Sequence, residues 1–357
     1  WVRVFQCILK NKMHKLHNKF GKNFIFEKNI FLNLAESIKK IQLKSGAIPS
    51  NIDNSHDPWD HIESIMGLNF LHDKKSADSA FDWLKNNQNK DGSWYSKYLD
   101  TNPIELNKPT HFSPYISVAA LHYFKIFSDR EKLIELWETI SKAINFSINL
   151  QNPNGTIPWS VDKNNKIEED FLLTGSSSIL KSIECAIKIS RILEKKENKS
   201  WMRAYKSLAQ AVKNPNGLFD LTQDRSRFSM DWYYPIISGA LSSKERDFYI
   251  QKIFKDFYVD GLGIKCVIEE PWVTVAETSE FIISLVISNR VEEAKKIFSE
   301  VMNITDVNNV PYMGWQYKQS IFWPEEKPSW TSAALILAAD SIYNFSSGSD
   351  ILTVNHL

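Results

Sequence analysis

The chain has 357 residues, 43% of them apolar and 24% charged, so a sizeable folded core is within reach and wholesale disorder is excluded. Lys and Arg number 43 against 42 for Asp and Glu; a formal net charge of +1 lacks the basic excess of a nucleic-acid binder, and no such partner is expected. Cys7, Cys185 and Cys266 lie far apart with no CxxC pair, which argues against a disulfide scaffold and a thiolate zinc site, and no apolar run reaches the roughly 18 residues of a membrane span.

Residues 1–27 read as a basic N-terminal extension. Within residues 1–26, Arg3, Lys10, Lys12, Lys15, Lys19 and Lys22 stand without an acid, interleaved with Val4, Phe5, Ile8, Leu9, Leu16 and Phe20. Such a segment serves either as a flexible tail or as an amphipathic surface for peripheral contact with an anionic membrane. The protein is otherwise expected in the cytoplasm.

From residue 28 two kinds of helix alternate. One kind carries an apolar stripe and a wet face. In 28–43 the stripe is Phe31, Leu34, Ile38 and Ile41, opposite Glu36, Lys39 and Lys40; in 291–303 it is Val291, Ala294, Ile297, Phe298 and Val301. The other kind is apolar nearly all round, as in Phe281–Ile287 and Ala333–Ala339, which requires burial on most sides. Wet helices are predicted at 28–43, 76–90, 130–150, 197–213, 244–257 and 291–303. Dry helices are predicted at 58–72, 113–126, 175–193, 229–242, 276–288 and 329–345. Six of each in strict alternation predict an all-α fold, an (α/α)6 toroid over 28–346 with the dry helices as inner ring, followed by a tail over 347–357.

Between the helices a Gly recurs beside an aromatic residue, at Gly46, Gly92, Gly155, Gly217, Gly261 and Gly314, spaced by about 45–65 residues. The segment Gln88-Asn-Lys-Asp-Gly92-Ser-Trp94 resembles the Gln-Trp repeat of the terpenoid cyclase and protein prenyltransferase toroid superfamily, and Gln151 to Trp159 resembles it with the Trp displaced by two positions. The resemblance implies a single toroid of prenyltransferase type acting on an isoprenoid or other hydrophobic substrate. DxDD, DDxxD and the zinc ligand set of that superfamily are missing from the sequence, and no cofactor or metal is expected.

The N-termini of the inner helices converge on one mouth, where acids and Trp gather. The first starts Asp57-Pro-Trp59-Asp60-His-Ile-Glu63, the second follows His111, Ser113 and Tyr115, and the third starts at Thr174-Gly-Ser-Ser-Ser178. The fourth starts Asp231-Trp232-Tyr233-Tyr234, and the fifth Trp272-Val-Thr-Val-Ala-Glu277-Thr-Ser-Glu280. The sixth follows Trp315 and Trp323 and contains Trp330. Asp60, Glu63, Asp231, Glu277 and Glu280 are the candidate catalytic groups. Trp59, His111, Trp232, Tyr233, Trp272, Trp315, Trp323 and Trp330 are the candidate substrate contacts.

Two chemistries suit this mouth. Aromatic faces stabilise a carbocation while an acid starts or ends its reaction, which is the leading expectation, an isoprenoid transferase or cyclase. Lys108, Arg225, Arg227, Lys265 and Lys327 are then the basic residues available for a diphosphate. Alternatively, Trp and Tyr stack on sugar rings while two carboxyls flank a glycosidic bond, giving a carbohydrate-active toroid: a hydrolase, lyase or epimerase. A non-catalytic binding toroid accounts for the absent motifs but leaves the carboxylates unexplained. A deep greasy cavity would favour isoprenoids; an open, polar-walled one would favour sugars.

Overall fold

The structure is a computed structural model that describes residues 16, 19–21, 24–50 and 52–357. Cys7 and most of the expected basic extension lie outside the described residues. Helices α1 (Lys28–Ile41), α2 (Pro58–Phe70), α3 (Lys74–Asn87), α4 (Ile116–Phe127), α5 (Arg130–Ile148) and α6 (Leu173–Ile192) build the first half. Helices α7 (Lys199–Lys213), α8 (Met230–Ile237), α9 (Ser243–Asp256), α10 (Val275–Ile287), α11 (Val291–Val301) and α12 (Ser329–Tyr343) build the second. Odd-numbered helices are the wet ones and even-numbered helices the dry ones. In α1 only Phe31, Leu34, Ala35 and Ile38 are buried, whereas α12 is buried from Thr331 to Ile342.

Each even helix packs against the next, and α12 packs on both α10 and α2, which closes the ring. Ser64 Oγ donates to Ser329 Oγ at 3.0 Å across that seam. The (α/α)6 toroid expected from the alternation is therefore the fold. Side chains start several of its helices. Asp73 caps α3, Asp129 caps α5, Asn198 caps α7, and Ser242 with Glu245 forms a capping box on α9. One boundary differs clearly from expectation. Helix α8 stops at Ile237 rather than near residue 242, because Gly239 takes φ +80°, donates to the Ile236 carbonyl and turns the chain out of the helix.

The recurrent loop has a mechanical role. Gln42 Nε2 donates to the carbonyls of Gly46 (3.1 Å) and Ser76 (2.9 Å). Gln88 does the same to Gly92 (3.0 Å) and Thr139 (2.9 Å), and Gln151 to Gly155 (3.0 Å) and Ala204 (3.1 Å). Each glutamine thus ties its own loop to the next outer helix. The glycines sit at φ +95°, +92° and +93°, and a Cβ on them would stand 2.0, 2.2 and 2.4 Å from the carbonyl oxygens of Ser79, Lys142 and Ser207. Gly is required at these positions by both conformation and space.

Short antiparallel strands decorate the loops that enter the inner helices. They form the three-stranded sheets β1 (Ser55–His56), β2 (Lys97–Leu99), β3 (Asn102–Glu105) and β8 (Trp272–Thr274), β9 (Gly314–Gln316), β10 (Ile321–Phe322). The pairs β4 (Lys108–Pro109) with β5 (Ser160–Val161) and β6 (Tyr258–Val259) with β7 (Gly263–Ile264) complete the set. At the far end, residues 347–357 pack against the ring. Lys181 of α6 donates to the Val354 carbonyl at 2.9 Å, Glu184 accepts from the His356 N–H at 3.0 Å, and Ile351 and Leu352 are buried. Among the described residues no helix is long and apolar enough to cross a membrane.

Candidate active site

The start of α2 holds three acids in different states. Asp57 is the helix cap, accepting from the Asp60 N–H at 2.8 Å, with Pro58 beside it in the first turn. Burial pushes its carboxyl up to about 6. Asp60 keeps some accessible surface but is densely surrounded. Its carboxyl is driven well above the usual range, by burial first and by the Asp57 charge second, against a stabilising hydrogen bond from Ser50. Glu63, one turn deeper, accepts from Trp59 Nε1 at 3.2 Å and is also raised well above its ordinary value, by burial and then by the Glu280 charge.

Helices α8 and α10 supply the facing wall. Tyr233 donates to Glu280 Oε2 at 2.6 Å, and Tyr234 donates to Oε1 of the same carboxylate. Burial, then the Glu280 charge, holds both phenols far above their ordinary range, so they remain donors. Burial lifts Glu280 itself to about 7, moderated by those two hydrogen bonds. Glu277 is buried in the first turn of α10, near the Cys266 thiol, which burial and then Glu277 raise strongly. Beneath this level Glu63, Glu280, Tyr115, Lys181 and Leu352 enclose only about 20 Å³, room for roughly one water.

Asp231 belongs to a neighbouring group. Thr174 Oγ1 donates to its Oδ1 at 2.5 Å. Burial pushes Asp231 up to about 6, and burial followed by the Asp231 charge pushes Asp220 up to about 8, so the two titrate as a pair that shares a proton. Asp231 and Asp220 line an open cavity of about 750 Å³ with Asp224, Arg225, Trp232 and Tyr249. The expected grouping of Asp60, Asp231 and Glu277 is thus divided. Asp60, Glu63, Glu277 and Glu280 are linked electrostatically in one cluster, while Asp231 faces the rim cavity.

The aromatic candidates sort the same way. Trp59 stacks on Tyr115 (4.3 Å between centroids, 17° between planes) and contacts His111 at 5.5 Å and Tyr234 at 6.0 Å, making an aromatic collar beside Asp60. His111 is held neutral by burial, its pKa lowered to about 4. Trp272 and Trp323 meet edge-on at 5.4 Å, with Trp323 53% exposed. Trp315 is buried against Phe322, and Trp330 is half-buried in the first turn of α12. Trp232 turns outward, giving its Nε1 to the Ser226 carbonyl and its face to Tyr249 and Lys252 of α9. Asp220 escapes a reading of the sequence because it lies in the irregular loop before α8. The available signal is the density of charge at Asp220, Asp224, Arg225 and Arg227.

The cations offered for a diphosphate are engaged elsewhere. Lys108 binds Asp91 (2.9 Å) and Asn165 (2.7 Å), Arg227 pairs with Glu269, Lys327 with Asp306, and Lys265 donates to the Ile268 carbonyl. Arg225 Nε stands 3.6 Å from Asp220. The enclosed pocket beneath Glu63 and Glu280 holds only about 20 Å³, too little for an isoprenoid chain, and the open cavity mixes carboxyl and carboxamide groups with aromatic rings, a wall that suits a sugar.

No protein-family model matches the chain. Solved structures share its fold across nearly its whole length, and they are toroidal carbohydrate-active enzymes. A wild-type glycosidase superposes with TM-score 0.71 at 12% identity, covering 88% of this chain and 96% of that one. A D-mannose isomerase gives 0.64 at 10% identity (89% and 98% covered), and a rhamnosidase from Klebsiella oxytoca with rhamnose bound gives 0.65 at 12% (89% and 64%). At these identities the likeness is one of fold.

A sequence relative is more specific. The MMP endo-(1,4)-3-O-methyl-alpha-D-mannosidase of Mycolicibacterium hassiacum is 34% identical over 317 residues, 89% of this chain and 87% of that protein. The chain belongs to the family of that mannosidase. The expectation of an isoprenoid transferase or cyclase is overturned by this relationship. The Gln-Gly loops that carried the resemblance hold repeats together in a toroid whatever reaction its mouth performs.

Proposed function

We propose that the protein is an α-mannoside hydrolase that cleaves within a (1,4)-linked chain, with Asp60 as general acid and Glu277 as its carboxylate partner. The observation that carries this reading is the state of Asp60. Burial and the adjacent Asp57 charge keep its carboxyl protonated well above the usual range, at the mouth beside the Trp59 collar. A glycosidic oxygen is a poor leaving group until it is protonated, and a carboxyl with a raised pKa is the group that does so at neutral pH.

The reaction follows from that state. Asp60 gives its proton to the departing sugar oxygen as the C–O bond breaks. Glu277 assists from the start of α10, either by taking a proton from the attacking water or by bonding to the anomeric carbon, and water completes the hydrolysis. Glu280, held by two tyrosine hydroxyls, and Glu63, held by the Trp59 indole, position this wall from one turn below. The Trp59–Tyr115 stack offers an apolar face to a pyranose ring, and Trp272 of β8 with Trp323 just past β10 offers another.

Family membership at 34% identity supports the substrate class, since that relative's name specifies a 3-O-methyl-α-mannoside chain. The test is hydrolysis of α-(1,4)-linked mannose oligosaccharides, with and without 3-O-methyl groups, followed by new reducing ends. The wild-type protein should release shorter oligosaccharides. Glu277→Gln should lose about 10²–10⁴-fold in rate with the fold unchanged by circular dichroism. An unaffected Glu277→Gln variant would remove that residue from the mechanism.

A further inference from the structure

The cavity of about 750 Å³ beside α8 is left unused by this mechanism, although Asp231 at the start of an inner helix lines it. Its volume falls within the range of small-molecule sites, about 300–1,000 Å³. Trp232 and Tyr249 form one wall, their rings 5.4 Å apart and only partly covered. Asn214, Asn216 and Asp224 stand exposed along the opposite loop, and the Asp220–Asp231 pair closes the inner end. Aromatic faces bordered by carboxyl and carboxamide groups match the two sides of a sugar: apolar C–H faces and hydroxyls that donate and accept in the ring plane.

The cavity is also connected to the mouth through the chain of contacts. Gly175 lies against His111, which touches Trp59, and the adjoining Thr174 hydrogen-bonds Asp231. A Cβ on Gly175 would come within 3.2 Å of the His111 ring, so the collar and α6 meet directly there. Asp220 Oδ1 and Arg225 Nε, 3.6 Å apart at the inner end, are both buried without a hydrogen bond, and one hydroxyl placed beside them would serve both.

We infer that this rim cavity is a distal glycan subsite that holds sugar residues of the substrate chain remote from the bond being cleaved. The inference rests on the glycoside hydrolase reading for its substrate class. An enzyme that cuts within a chain must hold sugars well away from the cut, and Trp232 and Tyr249 supply a stacking surface there. Asp220 Oδ1 accepts from a sugar hydroxyl and the Arg225 Nε–H donates to its oxygen, the two atoms that the protein itself leaves without a hydrogen bond.

The test uses the chain inactivated by Asp60→Asn and Glu277→Gln together, so that ligand survives. Calorimetric Kd values are measured for α-(1,4)-mannose oligosaccharides from the disaccharide to the decasaccharide. Affinity should tighten with length, and Trp232→Ala should weaken the long chains by about tenfold, erasing the gain. The double variant Asn216→Ala with Asp224→Ala alters only exposed side chains and covers the event that Trp232→Ala unfolds. It should also flatten the length dependence.

Length-dependent affinity that survives both sets of substitutions overturns the proposal, as does absence of binding at every length. The two readings fail separately. Length-dependent binding lost in the cavity variants, without hydrolysis by the wild type, sinks the hydrolase reading alone. Hydrolysis with length-independent affinity sinks the subsite alone.

Discussion

At the scale of single residues, the site is a set of carboxyls whose neighbours assign them different states. Asp57 raises Asp60 through its charge, so Asp57→Asn, which retains a capping side chain, should lower the Asp60 pKa. The alkaline limb of a kcat/KM profile should then move to lower pH; an unmoved limb would dissociate Asp60 from the acid role. The Asp220–Asp231 pair makes a separate prediction for stability. Asp220 has its folded pKa raised to about 8, so between about pH 4 and 8 the folded state holds a proton that the unfolded chain releases. Stability from this group therefore falls as pH rises. Asp220→Asn should match the wild type near pH 4 in thermal melts and gain on it steadily toward pH 8. A gap that narrows with pH would contradict the sign.

At the scale of elements, the glutamine-braced loops lock each hairpin to the next. Gly92→Ala would force a non-Gly residue to φ +92° and drive a Cβ to 2.2 Å from the Lys142 carbonyl. A loss of about 1–3 kcal/mol or more in denaturant unfolding is expected. Gln88→Ala removes two hydrogen bonds from carbonyl partners and should cost about 1–3 kcal/mol. Much of this level was legible in the sequence. The apolar run Ala333–Ala339 could only be an inner helix, and the stripe Val291–Val301 only an outer one. The early end of α8 was hidden, because apolar residues continue past Gly239 and only the glycine's backbone conformation stops the helix. The reaction was hidden for a different reason. The Gln-Gly loop is written by repeat packing, which is common to toroids of many chemistries, whereas the states of Glu63 and Glu280 come from side chains brought together from different inner helices.

At the scale of the whole molecule, an open cavity stands beside the start of α8 while the far end of the toroid is filled. Residues 347–357 cover the far end, tied by Lys181 and Glu184 of α6, an ion pair 2.8 Å long and almost wholly buried. Lys181→Met would leave Glu184 buried without its cation, at a cost of about 3–5 kcal/mol, measurable by chemical unfolding. With this end filled, the proposed chemistry lies at the other, where inner-helix starts from α2, α8 and α10 stand. The sequence sets these acids at the starts of inner helices, and the structure keeps them at those starts. Which of them share a cluster depends on side-chain directions, and Trp232 shows the limit, since it starts an inner helix yet faces outward.

The central claim is that Asp60 protonates the departing oxygen. It is tested most directly by giving Asp60→Asn two matched substrates, an α-(1,4)-mannose oligosaccharide and the same chain carrying a dinitrophenyl leaving group that departs without a proton. The variant should lose about 10²–10⁴-fold on the sugar leaving group while retaining most of its rate on the aryl one. Equal losses on both, or no loss on either, would contradict it.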